Sequence, residues 1–330
     1  MVKSMVEVSN NAPQCPLSDQ EMKLWLSMPI DAITGQPMIN NIYYCSESDY
    51  GMVFPRPSIN AIADFYNLNN YYTQGESHFQ EKSNNSFLDK LRVHIAWRFD
   101  KGVHLTAQLI DQLVNHKSSK ICDIGCGSGQ LLKELKMMGH DVMGVEPNER
   151  STVYSQDLDV YIGTAENIPK QIAENRFDVI IMTHVLEHCL APKVALSNIY
   201  ELLRPGGYLI CEVPNNACLG FKYSGVTWTM LDLPRHLNFF TSSNLQEICQ
   251  QANFEIQAIN YSGYCRQFSN SWIDYEREIY NKIIAAQVNP MPFPVKNSKF
   301  RAWQLLFLTL FATPDKKYDS ISVIATKPQN

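Results

Sequence analysis

The run Ile121-Cys122-Asp123-Ile124-Gly125-Cys126-Gly127-Ser128-Gly129 sets three glycines directly after a short apolar stretch. Glycines there let the backbone turn sharply and let a ligand approach the start of a helix with no Cβ in the way. Their spacing decides which ligand. A dinucleotide fingerprint needs Gly-x-Gly-x-x-Gly, whereas here the glycines are Gly125, Gly127 and Gly129, and Gln130 follows. A Walker A phosphate loop is excluded as well, because no Gly-Lys-Ser/Thr comes next. The loop carries no Lys or Arg. Asp123 and Glu146, the latter closing the next apolar run, would repel a pyrophosphate and suit a ligand with positive charge. A carboxylate at the position of Glu146 can accept both hydroxyls of a ribose.

Two histidine-bearing segments could also do chemistry. His184-Val185-Leu186-Glu187-His188 follows an apolar run, and Leu231-Asp232-Leu233-Pro234-Arg235-His236-Leu237-Asn238-Phe239-Phe240 follows Trp228. A histidine entering a crevice beside Trp and Phe suits proton removal or substrate hydrogen bonding. Equally, the ring nitrogens of His236 can hydrogen-bond its own loop. His188 has the same two readings, as a base or as a structural residue. The structural one is favoured, since position in a fold confers no role by itself.

The elements that must position these residues alternate. Ile121 to Ile124 reads as a strand, Gln130 to Met138 as a helix and Val142 to Val145 as a strand. Val160 to Ile162, Phe177 to Met182 and Tyr208 to Val213 continue the strands. Ile168 to Ala173 and Pro192 to Leu203 are the helices between, the second closed by Pro205-Gly206-Gly207. Such alternation implies parallel βαβ units with helices on both faces of the sheet. Ahead of it, Leu88, Leu91, His94, Ile95 and Arg98 mark a helical face within Phe87 to Asn115. Beyond Pro214, Leu245 to Ala252 reads as a helix, Phe254 to Ile259 as a strand and Ile321 to Thr326 as a last strand. Trp303 to Ala312 reads as a buried helix or a greasy lid.

On these residues the chain resembles the class I S-adenosylmethionine-dependent methyltransferases. The glycine loop looks like that family's motif I. Val145-Glu146-Pro147-Asn148 resembles its ribose-binding strand end, and Gly163-Thr164-Ala165-Glu166-Asn167-Ile168-Pro169 its adenine-side loop. Phe177 to His188 resembles the fourth strand and following turn, and Leu202-Leu203-Arg204-Pro205-Gly206-Gly207-Tyr208 the turn before the fifth. S-adenosylmethionine has a ribose, an adenine, an ammonium and a sulfonium, and no phosphate. The resemblance implies a doubly wound, mostly parallel seven-stranded Rossmann-like α/β sheet with a final antiparallel strand. It also implies roles. Asp123, Gly125, Cys126 and Gly127 would shape the methionine end, Glu146 and Pro147 the ribose site. Thr164, Ala165 and Glu166 would border the adenine, and His184 would lie against the cofactor. Glu166 also reads as an acid at a helix start. The Pro-x-His stretch is similar to one branch of the family, which modifies sugars and small metabolites. There His236 and His188 are the catalytic candidates, and Trp228 and Arg235 would be on the substrate side.

Residues 1–85 form a small irregular or β-containing module, and residues 86–330 the methyltransferase domain, with lid segments at about 215–240 and 264–315. The module resembles a zinc ribbon whose cysteines are replaced. Only Cys15 and Cys45 lie in it, so no four-cysteine site can form and no metal is expected. Tyr71 and Tyr72, in an aromatic stretch that could close over the pocket, are further substrate-side candidates, or ordinary packing residues. With 330 residues, 45% hydrophobic, the chain is long enough for a sizeable core, and its net charge of −5 argues against a dedicated nucleic-acid binder. Nine scattered cysteines and no apolar leader or span fit a cytoplasmic protein. The expected activity is methyl transfer to an O, N or C nucleophile of a small-molecule acceptor. The alternatives are a binding protein that keeps the pocket without transfer, and a nucleotide-dependent dehydrogenase, against which the glycine spacing speaks.

Overall fold

The computed structural model describes residues 12–58, 62, 86–148 and 157–329. Tyr71 and Tyr72 lie outside the described residues. The strands in chain order are β1 (Lys23–Ser27), β2 (Asn41–Cys45), β3 (Tyr50–Phe54), β4 (Lys120–Ile124), β5 (Asp141–Glu146), β6 (Asp159–Ile162), β7 (Phe177–Thr183), β8 (Leu203–Pro214), β9 (Asn238–Phe239), β10 (Glu255–Ser262) and β11 (Ser320–Thr326). The helices are α1 (Phe87–Phe99), α2 (Ala107–Leu113), α3 (Gln130–Met137), α4 (Lys170–Ala173), α5 (Pro192–Leu202), α6 (Leu219–Ser224), α7 (Ser242–Gln251), α8 (Asn270–Ala285), α9 (Lys299–Thr309) and α10 (Pro314–Lys317).

The unbroken apolar runs become strands covered on both faces, as parallel sheets require. Val179, Ile180, Ile181 and Met182 of β7 are wholly enclosed. The large sheet has the order β10-β11-β8-β7-β4-β5-β6. β4 runs parallel to β5 and β7, β5 to β6, and β7 to β8. β11 runs antiparallel to both its neighbours, β8 and β10. This is the expected doubly wound, Rossmann-like sheet. From β4 the chain builds outward to β5 and β6, then crosses to β7 on the other side. That reversal opens a crevice at the carboxyl ends of β4 and β7, the place where such sheets bind ligands.

A second sheet, β1-β2-β3-β9, is antiparallel. Three of its strands come from residues 23–54, while β9 arrives from the segment that carries His236.

Two apolar segments differ from expectation. The helical stretch from Phe87 divides into α1 and α2, because the link between them is held by β10 and its neighbours. There Val103 N–H donates to Tyr261 O at 2.9 Å and Lys101 N–H to the Tyr318 hydroxyl at 2.8 Å. α1 buries Asp89, Arg92 and Ala96, and leaves Phe87, Leu88 and Trp97 exposed. A polar network sets that face: Arg92 Nε donates to Phe268 O at 2.9 Å, and Lys299 Nζ donates to Asp89 Oδ2 at 2.6 Å. The run from Trp303 is not a buried helix. α9 encloses Ala302, Leu305, Leu306 and Thr309, and Phe300, Phe307 and Leu308 face outward.

Candidate functional site

β4 carries Asp123 to the crevice, and the chain then turns through Gly125 (φ +77°), Gly127 (φ +53°) and Gly129 (φ +72°) into α3. A Cβ on Gly125 would stand 2.5 Å from Val185 Cγ2, whereas one on Gly127 would meet nothing within 4 Å. The loop is therefore closed on its β7 side and open where a ligand can lie. Glu146, at the end of β5, accepts from Gly127 N–H through Oε2 and from Asn148 N–H through Oε1, both at 3.0 Å. Asp123 and Glu146 are only 6% and 5% exposed, and among the described residues no basic side chain offsets either. Burial and the charge of Glu146 push the Asp123 carboxyl up to about 8. Burial also raises Glu146, against the pull of its two N–H donors. Two enclosed acids with no cation between them fit a ligand that brings positive charge and a ribose. They do not fit a pyrophosphate.

The remaining cofactor-side candidates flank this pair. The Cys126 thiol lies where a Cβ on Gly144 would come within 2.7 Å of Sγ, and burial raises it out of the reactive range. Pro147 is exposed just after β5. Thr164 Oγ1 accepts from Asn167 N–H at 3.0 Å, and Ala165 is buried in the core. Glu166 Oε1 accepts from Ala191 N–H at 2.6 Å, so it braces the start of α5.

The end of β7 supplies a second polar centre. His184 sits in the left-handed region (φ +54°), which turns its ring between two acids. Its Nδ1 is 3.0 Å from Glu187 Oε1, and its Nε2 is 3.6 Å from Glu212 Oε1. Burial pulls the His184 imidazole down, but Glu187 and Glu212 outweigh it and hold it above its ordinary value. Burial pushes the Glu187 carboxyl up, and the His184 hydrogen bond, with nearby imidazole charge, outweighs that and keeps it low. His188 follows in a 3-10 turn, Leu186–His188. The His188 and His236 rings stand edge to face, 4.6 Å between centres. His188 Nδ1 bonds Arg235 O at 3.0 Å and His236 Nδ1 bonds Met230 O at 2.8 Å. Burial and then the charge of His236 hold His188 down at about 4. The structure thus brings together two histidines that lie far apart in the chain, and adds Glu187, whose signal in the sequence is only the short His-x-x-Glu-His run.

Trp228 and Arg235 have other occupations. Trp228 is 1% exposed and packs on Phe221 at 5.1 Å between ring centres, within the core shared with β1. Arg235 is enclosed. Its NH1 and NH2 bond Asp31 at 3.0 and 2.8 Å, and its Nε bonds Asp232 at 2.7 Å. Asn238 accepts from Tyr50 and Arg56 and donates to the carbonyls of Leu186, Glu187 and Cys189. These contacts fasten the His236 segment between Asp31, Tyr50 and Arg56 on one side and the turn after β7 on the other. A cleft of about 450 Å³ lies nearby, lined by Trp25, Tyr44, Phe221, Phe239 and Lys316 among others, and includes none of the cofactor-side residues.

A doubly wound sheet with a glycine loop and two enclosed acids at its switch point defines a nucleoside-binding α/β enzyme without phosphate chemistry. A family model described as a methyltransferase domain matches residues 96–259. The ubiquinone biosynthesis O-methyltransferase of Cereibacter sphaeroides is 28% identical over 218 residues, which span 62% of this chain and 84% of that protein. The protein of the same name from Azorhizobium caulinodans is 31% identical over 157 residues, spanning 43% of this chain and 61% of that protein. Among solved structures, the Burkholderia thailandensis 1,6-didemethyltoxoflavin-N1-methyltransferase is 14% identical. It covers 88% of this chain and 96% of its own, with a TM-score of 0.44. The chain belongs to the class I S-adenosylmethionine-dependent methyltransferases. It is an enzyme, and S-adenosylmethionine is its cofactor. No helix among the described residues is long and apolar enough to cross a membrane.

Proposed function

We propose that the enzyme methylates a hydroxyl oxygen of a small organic acceptor, such as a sugar, a nucleotide sugar or another metabolite. The observation that carries this reading is the facing pair of imidazoles, His188 and His236, at the end of β7. Oxygen as the acceptor atom is supported by the similarity to proteins named O-methyltransferases over most of their length.

S-adenosylmethionine, when bound, supplies a methyl group already made electrophilic by its sulfonium. What the chain adds is binding, alignment, exclusion of water and the handling of one proton. Glu146 holds the ribose through the lone pairs that its two N–H donors leave over, with Pro147 beside it. Asp123 faces the positive end. Gly125, Cys126 and Gly127 form the loop side, Thr164, Ala165 and Glu166 the adenine side, and His184 the β7 side. A hydroxyl is protonated at neutral pH, so its transfer calls for a base. A backbone carbonyl can only accept, so each Nδ1 carries the proton and each Nε2 can take one from the acceptor. Trp228 and Arg235 support this face from behind. The lid segments at about 215–240 and 264–315 select the acceptor, and residues 1–85 act as a module that steadies the first of them.

The test is incubation with methyl-labelled S-adenosylmethionine and a panel of sugars, nucleotide sugars, phenols and amines, analysed by mass spectrometry. Label in an ether linkage is the expected result. Label found only on nitrogen or carbon overturns the reading, as does the absence of product when the protein is saturated with cofactor.

A further inference from the structure

We propose that Glu187, His188 and His236 form a site for a divalent first-row transition cation of the Zn2+, Co2+ or Mn2+ class. Each offers one ligand atom, and the three atoms lie within 4.8 Å of one another. Two imidazoles and one carboxylate are a catalytic-type donor set, which leaves a position on the ion open.

Three observations beyond proximity support the site. The first is Glu187. Its side chain is fully enclosed, and Oε1 is engaged by His184, but Oε2 has no hydrogen-bond partner among the described residues. An enclosed carboxylate oxygen without a donor is costly, and a cation at that oxygen removes the cost. The second is tautomer. The carbonyls of Arg235 and Met230 accept from Nδ1 of His188 and His236, which fixes both rings with the Nε2 lone pair as the donor atom. Metal-bound histidines are commonly oriented in this way through their other nitrogen. The third is the bracing of the carboxylate by His184, which is itself held near Glu212. Donor atoms around a tetrahedral ion at about 2.1 Å are about 3.4 Å apart, so the ion draws the three side chains slightly inward.

The site stands whatever the acceptor is. Its consequence for catalysis rests on the oxygen-acceptor reading above. With the ion bound, the two Nε2 lone pairs are engaged by it, and the ion takes over their part in handling the proton. A hydroxyl bound at the open position gives up its O–H proton to solvent more readily as it binds, and the oxygen keeps the electron pair that forms the new bond to carbon.

The experiment uses the full chain, dialysed against a chelator and then titrated with Co2+, Zn2+ or Mn2+ in the absence of any acceptor. One saturable equivalent is expected, seen as visible absorption for Co2+ and as heat for the others. Glu187→Gln and His236→Gln should each weaken it at least about 100-fold while S-adenosylhomocysteine still binds. His184→Asn should weaken it by roughly 10- to 100-fold. If one ligand variant fails to fold, His188→Gln takes its place. The proposal is overturned if folded, cofactor-binding protein shows no saturable uptake, or if the ligand variants bind the ion as tightly as the wild type. Binding without ether formation would refute the acceptor reading and leave the metal site intact.

Discussion

Asp123 ties the stability of the fold to pH and, in the function proposed above, to the charge of the ligand. It is enclosed beside Glu146, and its carboxyl is raised from 3.8 to about 8. A carboxyl raised on folding favours the folded state fully below its unfolded value, and that advantage is lost as pH rises through the folded value. Asp123→Asn should therefore match the wild type near pH 4 and become progressively more stable than it toward pH 8, read as the urea midpoint without ligand. An equal difference at every pH would show that Asp123 does not titrate in this window. The same variant should lose more affinity for S-adenosylmethionine than for S-adenosylhomocysteine, because only the former carries the sulfonium charge. Proteins commonly hold such a destabilising arrangement where a ligand must bind.

At the level of elements, the turn from β4 into α3 depends on Gly125 for two separate reasons, its positive φ and the approach of Val185. Gly125→Ala should cost about 1–2 kcal/mol from the backbone conformation alone, and more from the clash. Adding Val185→Ala should return only the clash component, measured by denaturant unfolding. Complete recovery in the double variant would show that the left-handed backbone is not a constraint here. This loop was legible in the sequence because everything that dictates it is local: an apolar run, three glycines and a helix start. The inward face of α1 was not. Leu88 has the right spacing but is 59% exposed, while Arg92 is fully buried. The partners that draw Arg92 and Asp89 inward, Phe268 and Lys299, lie far along the chain. Periodicity detects apolar faces and is silent about a helix that turns a satisfied ion network to the core.

Across the whole molecule, the segment of β1–β3 and the loop that carries His236 share a seam. Arg235 reaches Asp31 across 204 positions of sequence, and Asn238 joins Tyr50 and Arg56 to the turn that bears His188. Arg235→Leu should destabilise the protein by about 3–5 kcal/mol, because Asp31 and Asp232 would be left enclosed without their cation. Adding Asp31→Leu and Asp232→Leu should restore much of that loss, since well-packed apolar groups often replace a buried ion cluster without penalty. Chemical denaturation of the single and triple variants decides this, and a triple variant no better than the single would refute it. The crevice at the carboxyl ends of β4 and β7 could be read from motifs because one stretch of about ninety residues builds it. The pairing of His188 with His236 could not, since it depends on a loop pinned from the opposite end of the chain.

β11 has a consequence for how the sheet is assembled. It is the last described strand in the chain, yet it lies inside the sheet, paired along its length with β8 on one side and β10 on the other. During synthesis, the ladder edges of β8 and β10 emerge well before the strand that must fill the gap between them. Until Ser320–Thr326 arrives, each presents a row of unsatisfied backbone groups that can pair with any other strand. The interval between making the β4–β7 crevice and closing the sheet is then the period when the chain is most exposed to misassembly.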